Sequence, residues 1–454
     1  MKYAFMIAED INLGAGYIMS FLKSQGHDVR LFFDPLQFNR GYARNHILSK
    51  AFDVSDYNIR EMKKWKPDAC CFSCVTATVK WGLRMAERVK KEIGCKIIFG
   101  GVHATLVPEE VKKHDFIDDV CVGSGLDYFG GSFDPDNLWP ERELFFRELP
   151  PEHRKVQLFM TSFGCPFNCS FCGNEQLRKV SKLVNKRRTV EGCIRELKHL
   201  KDKYGMKYVL FVDDIFTVDK KWLLEFAKVY KEIINLPFAC FIHAKFVDEE
   251  VADTLKSMKC HTAWMGIQSG FEPLRKEILG RNETNPDIIN ASKLIKSRGI
   301  KLMIDHIFGI PFENDLSQDL SHALYAEIKP DVVNCYELLY FPKAKIIDHA
   351  MRCGYLSIKD INKINRGEGV VYQQNNKGNY FFDLYSKSLV SIPLRNVLFE
   401  LLPLTFIKLI VAFRSGRAYM PLVIIQNEIF FTWRALLKKM RVYGMVSKNV
   451  SKGQ

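Results

Sequence analysis

Along residues 1 to about 125, short apolar runs alternate with segments in which apolar side chains recur every three or four positions. The runs predict strands at Tyr3–Ile7, Val29–Phe33, Ala69–Ser73, Ile97–Gly100 and Val120–Val122; the periodic segments predict helices near Tyr17–Ser24, Tyr57–Lys64, Val79–Ile93 and Pro108–Lys113. Strand, helix and strand repeated in this way argue for a doubly wound parallel sheet, because parallel neighbours need a crossover between them. Such sheets take ligands beyond the carboxyl ends of their strands. Three turns rich in glycine or small residues fall there: Asn12–Gly16, Ser73–Thr78 and Gly100–Thr105. No G-x-G-x-x-G is present, and Gly14-Ala15-Gly16 alone reads as a tight turn into a helix as readily as a dinucleotide site.

Residues 126–155 lose the periodicity and carry Pro135, Pro140, Pro150 and Pro151 among charges, the pattern of an interdomain linker. Six strand and helix pairs follow, with strands at Val156–Ser162, Tyr208–Asp213, Ala239–His243, Ala263–Gln268, Lys301–Ile307 and Val332–Leu339. Between them Trp222, Leu223, Phe226, Val229, Tyr230 and Ile233 fall on one helix face, as do Ile194, Leu197 and Leu200. Six parallel repeats imply a partial (β/α)6 barrel of the TIM type over residues 156–345. The expected class is thus α/β: a Rossmann-like doubly wound sheet over 1–125, a linker, a partial barrel, and a mostly helical, basic, amphipathic region over 346–454.

Charge changes this picture at one end. The chain of 454 residues has a formal net charge of +14, and +9 of it lies between Ser386 and Gln454. A basic tail is therefore expected, and no nucleic-acid-binding core. Within Leu389–Met445, Pro393, Arg395, Glu400, Pro403, Lys408, Pro421 and Glu428 interrupt every apolar run before the roughly 18 residues of a membrane span. Aromatic and aliphatic residues, Trp433 among them, interleave with Arg414, Arg417, Arg434, Lys438, Lys439 and Arg441. That mixture suits peripheral docking on an anionic membrane surface, with a lipid-like substrate at hand. The alternative is a helical cap packed on the barrel with a solvated basic face. The first residues, MKYAFMIAEDINLG, read as a strand broken by Glu9 and Asp10, not as a secretory signal. Thirteen cysteines without a regular framework point to a reducing compartment, hence a cytoplasmic protein, at most peripheral on the inner face of the membrane.

The candidate chemistry is concentrated in Thr161–Asn174, TSFGCPFNCSFCGN, where Cys165, Cys169 and Cys172 stand as C-x3-C-x2-C. Three thiolates with no fourth partner beside them suit a [4Fe–4S] cluster, each cysteine taking one iron corner and one iron staying free of protein. A structural zinc would want a fourth ligand, and His153 and His199 are too distant in sequence to be assigned to it. Three buried free cysteines would not be expected in a loop that also holds Gly164, Pro166 and Asn168. Cys71 and Cys74 form a C-x-x-C, but at the end of a buried strand with no helix start between them they read as packing.

The cysteine spacing, with the aromatic Phe171 before the third thiol, resembles the radical S-adenosylmethionine (SAM) superfamily. The resemblance implies an enzyme in which the open iron chelates SAM and one electron yields a 5′-deoxyadenosyl radical, with a donor such as flavodoxin or ferredoxin. It also implies SAM-binding groups at the barrel mouth. Asp213 and Asp214 in FVDDIFT would accept hydrogen bonds from ribose or a cationic group, or cap a helix. Gln268 and Ser269 in Gly266-Ile267-Gln268-Ser269-Gly270 stand where the family has Gly-Ile-Glu-Ser-Gly, so neutral hydrogen bonding survives and ion pairing does not. Arg281 would grip the methionyl carboxylate or be solvated. Gly309 and Pro311 match the Gly-x-Pro whose bare backbone lets adenine approach. His243 and His306 also end strands and are expected to be structural.

Residues 1–125 resemble the cobalamin-binding domain found ahead of the radical domain in one large class of these enzymes. The resemblance rests on LGAGYIMSFLKSQGHDV, PDACCFSCVTAT, FGGVHATLVPEEV and VCVGSGLDYF. It implies a corrin held by the turns that carry Gly14, Ser73, Thr76, Gly100, Gly101 and His103. The Asp-x-His-x-x-Gly of many cobalamin proteins is absent, and Gly123-Ser124-Gly125-Leu126 stands where Gly-Glu-Gly-Glu is common. His103 either lies over the corrin or caps backbone near Gly100. The expected activity is methylation of an unactivated carbon of a small molecule, or a radical cyclisation or rearrangement. The alternatives are a radical SAM enzyme whose first domain only positions substrate, and a non-catalytic iron–sulfur sensor.

Overall fold

Strand β1, Lys2–Ala8, is buried from Tyr3 to Ile7 on both of its faces. Continuous burial is what a central parallel strand requires, since helices cover both sides. It pairs with β2 (Asp28–Asp34) and β3 (Ala69–Ser73); β4 (Lys96–Gly100) and β5 (Asp119–Val120) follow outward, all parallel, in the order β2-β1-β3-β4-β5. The chain is a computed structural model that describes residues 1–38, 46–180, 186–369 and 430–438. Period two along β1 feeds two cores. Met6 joins Phe72, Phe99 and helix Val79–Ile93 on one face, while Phe5 and Ile7 join Met19, Leu22 and Ile98 under helix Leu13–Ser24 on the other. Strand order reverses between β1 and β3, so the crevice at their carboxyl ends is where such a sheet takes a ligand.

The first of two compact units runs from Met1 to Pro151 and includes residues 126–151 of the segment expected as a linker. Phe145 and Leu149 are buried in the core beneath helix Leu13–Ser24, and the Glu141 N–H donates to the Gly16 carbonyl at 2.9 Å. A Cβ on Gly16 would stand 3.0 Å from Pro140 and 3.2 Å from the Glu141 carbonyl oxygen. That glycine serves this crossing, a contact between distant positions that proline counting does not reveal. Asn365–Glu368 and the helix of residues 430–438 belong to the same unit. Ala435 of that helix is buried, and Arg434 and Lys438 each stand 3.0 Å from a Glu148 carboxylate oxygen. Those two basic heads face protein of the first unit, so this stretch has neither the solvated basic face nor the barrel packing of the cap alternative, whereas Trp433 is 62% exposed. The rest of Leu389–Met445, with the basic residues counted there, lies outside the described residues.

The second unit begins with β6 (Val156–Phe159), β7 (Ser162–Phe163) and β8 (Lys186–Arg187) and continues through β9 (Tyr208–Phe211), β10 (Phe238–Ile242), β11 (Cys260–Gln268), β12 (Lys301–Phe308) and β13 (Val332–Glu337). The order β6-β9-β10-β11-β12-β13, parallel throughout, is the expected six-stranded partial barrel. The first strand differs from expectation: it breaks after Phe159, and Ser162–Phe163 turns aside to pair antiparallel with Lys186–Arg187. Helices Val190–Tyr204, Lys220–Val229, Glu249–Ser257, Asn285–Ser297 and Asp315–Ile328 pack outside it. Each starts on a side-chain cap, from Thr189, Asp219, Asp248, Thr284 and Asn314, worth about 1 kcal/mol apiece. Leu338, Tyr340, Ile346, Ile347, Ala350, Leu356 and Ile364 share one core with Leu274 and Leu279, so this unit runs past residue 345 to Ile364. Among the described residues no helix is long and apolar enough to cross a membrane.

Candidate active site

The cysteine loop leaves β7 through Gly164, whose φ of 82° a side chain would resist, and is then pinned on two sides. The Ser170 N–H donates to Leu279 O at 2.9 Å and its hydroxyl to Ile278 O at 2.5 Å, while Ile346 N–H donates to Ser170 O at 2.9 Å. Gly280, with a φ of 66°, lets the loop pass: a Cβ there would lie 3.3 Å from Asn168 O. The Arg178 guanidinium gathers the Cys165 and Phe167 carbonyls and the Asn168 side-chain oxygen. Phe171 is half-buried against the core of Leu274, Leu279 and Ile346.

Cys165, Cys169 and Cys172 are half-exposed, whereas Cys193, Cys240 and Cys260 are buried in the barrel core. Burial pushes all three loop thiols up, Cys165 to about 11, and Cys169 weighs electrostatically on both of the others. The groups facing sulfur are donors: the Asn174 N–H is 3.5 Å from Cys172 Sγ, and Arg281 Nη1 is 3.9 Å from Cys169 Sγ. Burial, Asp214 and Glu283 keep these thiols protonated more strongly than the N–H and guanidinium groups ionise them, so a positively charged partner is needed, and an iron–sulfur cubane supplies it. The donor set therefore fits the cluster.

Arg281 is not free to act as a solvated clamp. Its Nη2 donates to Gly266 O at 2.7 Å and its Nε to Glu283, a buried carboxylate whose pKa His243 and Arg281 hold down at about 2 against the cost of burial. His243 Nε2 lies 3.4 Å from the other Glu283 oxygen. The same imidazole stacks on Phe167 of the cysteine loop at 4.6 Å and 8°, and its Nδ1 accepts from Lys245 N–H. Neighbouring Arg275, wholly buried, ties Ser269 O, Glu283 O and Asn285 Oδ1 together. Sequence analysis did not single out Glu283 and Arg275: Arg275 bonds groups six to ten residues away in the stretch after β11, and Glu283 joins Arg281 to the distant His243.

The two aspartates part company. Asp213 is fully buried and accepts from Thr161 N–H at 3.0 Å, Thr161 Oγ1 at 2.6 Å and Ser162 Oγ at 2.5 Å, so it braces the break between β6 and β7 and is not presented to a ribose. Asp214 is exposed and accepts from Asn174 at 3.1 Å; the surrounding protein, and then Asp213, raise its pKa. Ser269 is likewise buried, bonded to Phe271 N–H and facing the Ser321 hydroxyl. Gln268 sits at a bulge with a φ of 70° and folds its amide over Gly266, where a Cβ would meet Nε2 at 2.5 Å. Gly309, with a φ of 74°, donates to the Glu313 carboxylate at 2.7 Å, and Pro311 is buried beside it. Burial raises Glu313 to about 7. His306 is a buried core group whose Nδ1 lies 2.9 Å from Tyr325 OH, with burial lowering its pKa to about 3.

In the first unit the expected residues gather at the carboxyl ends of β1, β3 and β4. Asn12 caps helix Leu13–Ser24, with Gly14 in its first turn, and donates to Ser73 Oγ at 3.3 Å. Gly101, with a φ of 95°, lets the β4 turn close on the β3 turn: a Cβ would meet Cys74 N and O at 2.5 Å, while Gly100 O accepts from Cys74 N–H. His103 is buried with both nitrogens used, Nδ1 by Thr76 Oγ1 at 3.2 Å and Nε2 by Asn365 O at 3.0 Å. Since a carbonyl only accepts, Nε2 carries the proton. His103 therefore bonds the Thr76 hydroxyl and the Asn365 carbonyl, not backbone at Gly100 or Gly101. Cys71 and Cys74 are buried, Cys74 raised to about 12, and Cys74 packs on Gly82, so the C-x-x-C is packing.

Residues 159–322 match the model of the radical SAM superfamily, and residues 9–130 that of the B12 binding domain. The chain carries a radical SAM domain and a B12-binding domain. It is similar to an uncharacterized methyltransferase of Pyrococcus horikoshii, 24% identical over 424 residues that cover 84% of this chain and 88% of the relative. It is also similar to the cytidylyl-2-hydroxyethylphosphonate methyltransferase of Streptomyces wedmorensis, 23% identical over 66% of this chain and 69% of that one. Among solved structures, OxsB, a cobalamin-dependent SAM radical enzyme solved with aqua-cobalamin and SAM, superposes with a TM-score of 0.65 over 99% of this chain and 82% of its own, at 12% identity. TsrM of Kitasatospora setae, a radical SAM methyltransferase, gives 0.59 over 78% and 77%, at 14% identity. At such identities these likenesses carry the fold. The radical SAM domain makes this chain an enzyme that uses a [4Fe–4S] cluster and SAM, and the B12-binding domain adds cobalamin.

Proposed function

We propose that this radical SAM enzyme methylates an unactivated carbon of a small molecule, using cobalamin held by its first unit. The observation that carries the reading is the pinned loop of Cys165, Cys169 and Cys172 with Arg281 at Cys169, in a chain that also holds a B12-binding domain. When bound, the cluster and SAM supply radical chemistry, and cobalamin supplies methyl transfer. The protein's own share is to hold and shield. The three cysteines bind iron, and Asp214 and the Gln268 amide offer acceptors for the nucleoside. Gly309 keeps backbone bare for adenine while Glu313 fixes its N–H. Arg281, already engaged by Glu283, acts as a fixed cation beside Cys169. The crevice bounded by Gly14, Ser73, Thr76, Gly100 and Gly101 receives the corrin, with His103 bracing Thr76. A low-potential donor such as flavodoxin or ferredoxin supplies the electron. Anaerobic incubation with candidate lipids or pigment precursors tests this, read as a gain of about 14 mass units for methyl replacing hydrogen.

A second reading keeps the radical domain and gives the first unit only a positioning role. It is favoured by the backbone of residues 365–368, which takes a place beside the β3 turn: Asn365 O holds His103, and a Cβ on Gly367 would overlap Val79. Retention of one cobalamin per chain after gel filtration decides for the first reading, and its loss for the second. Peripheral binding to a lipid surface, which would bring a lipid-like substrate within reach, is supported by the exposed indole of Trp433 and opposed by the pairing of Arg434 and Lys438 with Glu148.

A further inference from the structure

Burial alternates along β11, β12 and β13, and the alternation separates two faces of the barrel sheet. Ala263, Met265, Leu302, Ile304 and Val333 pack outward under the helices. The half-buried partners between them point the other way and stand in register: Phe241 beside Trp264 beside Met303 in one row, Gly266 beside Asp305 beside Asn334 in the next. Phe241 and Trp264 stack at 4.9 Å and 26°. Among the described residues these two rows form an aromatic floor with one carboxylate.

That carboxylate is held from one side only. Trp264 Nε1 donates to Asp305 Oδ1 at 2.6 Å and Asn334 Nδ2 donates to the same oxygen at 3.1 Å. Among the described residues Oδ2 takes no hydrogen bond, and it is not sealed from solvent. Among the described residues no lysine or arginine pairs with Asp305, and the cation in electrostatic reach is Arg281, which is committed to Glu283, Gly266 O and Cys169. Two neutral donors fix the orientation of a carboxylate that has no cationic partner among the described residues. An acid of this kind costs stability unless something supplies the missing charge, and enclosed sites use such groups to orient ligands.

We propose that Asp305, oriented by Trp264 and Asn334, is the substrate's polar anchor, receiving an ammonium or a comparable cationic N–H group while the adjoining flat or apolar part of the molecule lies on Trp264 and Phe241. The proposal deepens the reading above and rests on the barrel's inner face being the substrate side. Gly266 ties the anchor to the reaction centre: its carbonyl receives Arg281, which touches Cys169, and it is the register partner of Asp305. The nitrogen of the substrate would thus lie one strand away from the carbonyl that holds Arg281.

The test uses the full chain reconstituted with cluster and cobalamin, and three probes alike in ring and size: 4-fluorophenethylamine, 4-fluorophenethyl alcohol and 4-fluorophenylacetate, titrated by fluorine NMR. The ammonium should bind at least about fivefold tighter than the alcohol, the scale of a partly screened ion pair, and the acid weakest. In Asp305→Asn, which keeps an acceptor for Trp264 and Asn334 and removes the charge, the ammonium and the alcohol should bind within about twofold of each other. If Asp305→Asn does not fold, Asp305→Ser reads the same difference. Equal binding of the three probes to the wild type, or a preference that survives the variant, overturns the anchor. Formation of 5′-deoxyadenosine by the wild type is measured in parallel. Its absence counts against the function proposed above, while the probe affinities still decide the anchor.

Discussion

Arg281 reaches Cys169: its Nη1 lies 3.9 Å from the sulfur while its Nε is bound by Glu283. Glu283 also faces His243, which stacks on Phe167 two residues after Cys165. The cysteine loop is therefore gripped at two points by one buried carboxylate.

A cation beside an iron–sulfur cluster favours the reduced, more negative state, and a carboxylate that neutralises the cation opposes it. Arg281→Gln should therefore lower the cluster's reduction potential and Glu283→Gln should raise it, each by about 60 mV, the one-electron equivalent of a tenfold change. An EPR-monitored redox titration reads both. Shifts of the same sign, or none, would contradict the arrangement.

Replacing Cys165, Cys169 or Cys172 by Ala should remove the cluster's visible absorbance and 5′-deoxyadenosine formation, because a two-thiolate site holds a cubane poorly. Cys193→Ala and Cys240→Ala should keep both and lose stability on the order of 1 kcal/mol, since these thiols are buried in the barrel core. Iron analysis checks it; loss of iron in Cys193→Ala equal to that in Cys169→Ala would refute the ligand assignment.

Glu313 gives a pH dependence of known sign. Burial raises its pKa from 4.5 to about 7 in the folded chain, so between those values the folded state holds a proton that the unfolded state has released. Stability from this group therefore falls as pH rises from about 4.5 to about 7, by on the order of 3 kcal/mol in all. Glu313→Gln still accepts from the Gly309 N–H and should remove that part of the slope. Denaturant midpoints measured across the range would show it; an unchanged slope would mean that the carboxylate is comfortable where it is.

The tail is tested through Trp433, which is exposed and supports no core. Trp433→Ser should leave the thermal midpoint unchanged and weaken flotation with anionic vesicles if the tail docks on a lipid surface. Release by high salt is expected for the wild type. Flotation that is unaffected by both the substitution and salt would exclude surface docking through this helix.

Local spacing made the cysteine loop and most strands legible: Ala69–Ser73 and helix Val79–Ile93 lie where their apolar periods place them. What spacing could not convey was direction. Asp213 and Asp214 are neighbours in sequence, yet one braces Thr161 from inside and the other faces solvent. Nor could it convey pairing across strands, which brings Trp264 and Asn334 to Asp305 and Glu283 to His243. Residues 126–155 look like a linker in sequence because their prolines and charges outweigh the few apolar residues, Phe145 and Leu149 among them, that bury the part up to Pro151 in the first unit. His103 was ambiguous for the same reason, since its second partner, Asn365, is far away in sequence.

The central claim is that this chain performs cobalamin-dependent radical SAM chemistry. The most direct test is one anaerobic assay: the full chain reconstituted with iron, sulfide and hydroxocobalamin, desalted, then given SAM and a low-potential reductant, with 5′-deoxyadenosine counted against retained cobalamin. The account predicts one cobalamin per chain and 5′-deoxyadenosine that is absent in Cys169→Ala. A cluster-loaded wild type that releases its cobalamin and leaves SAM intact would contradict it.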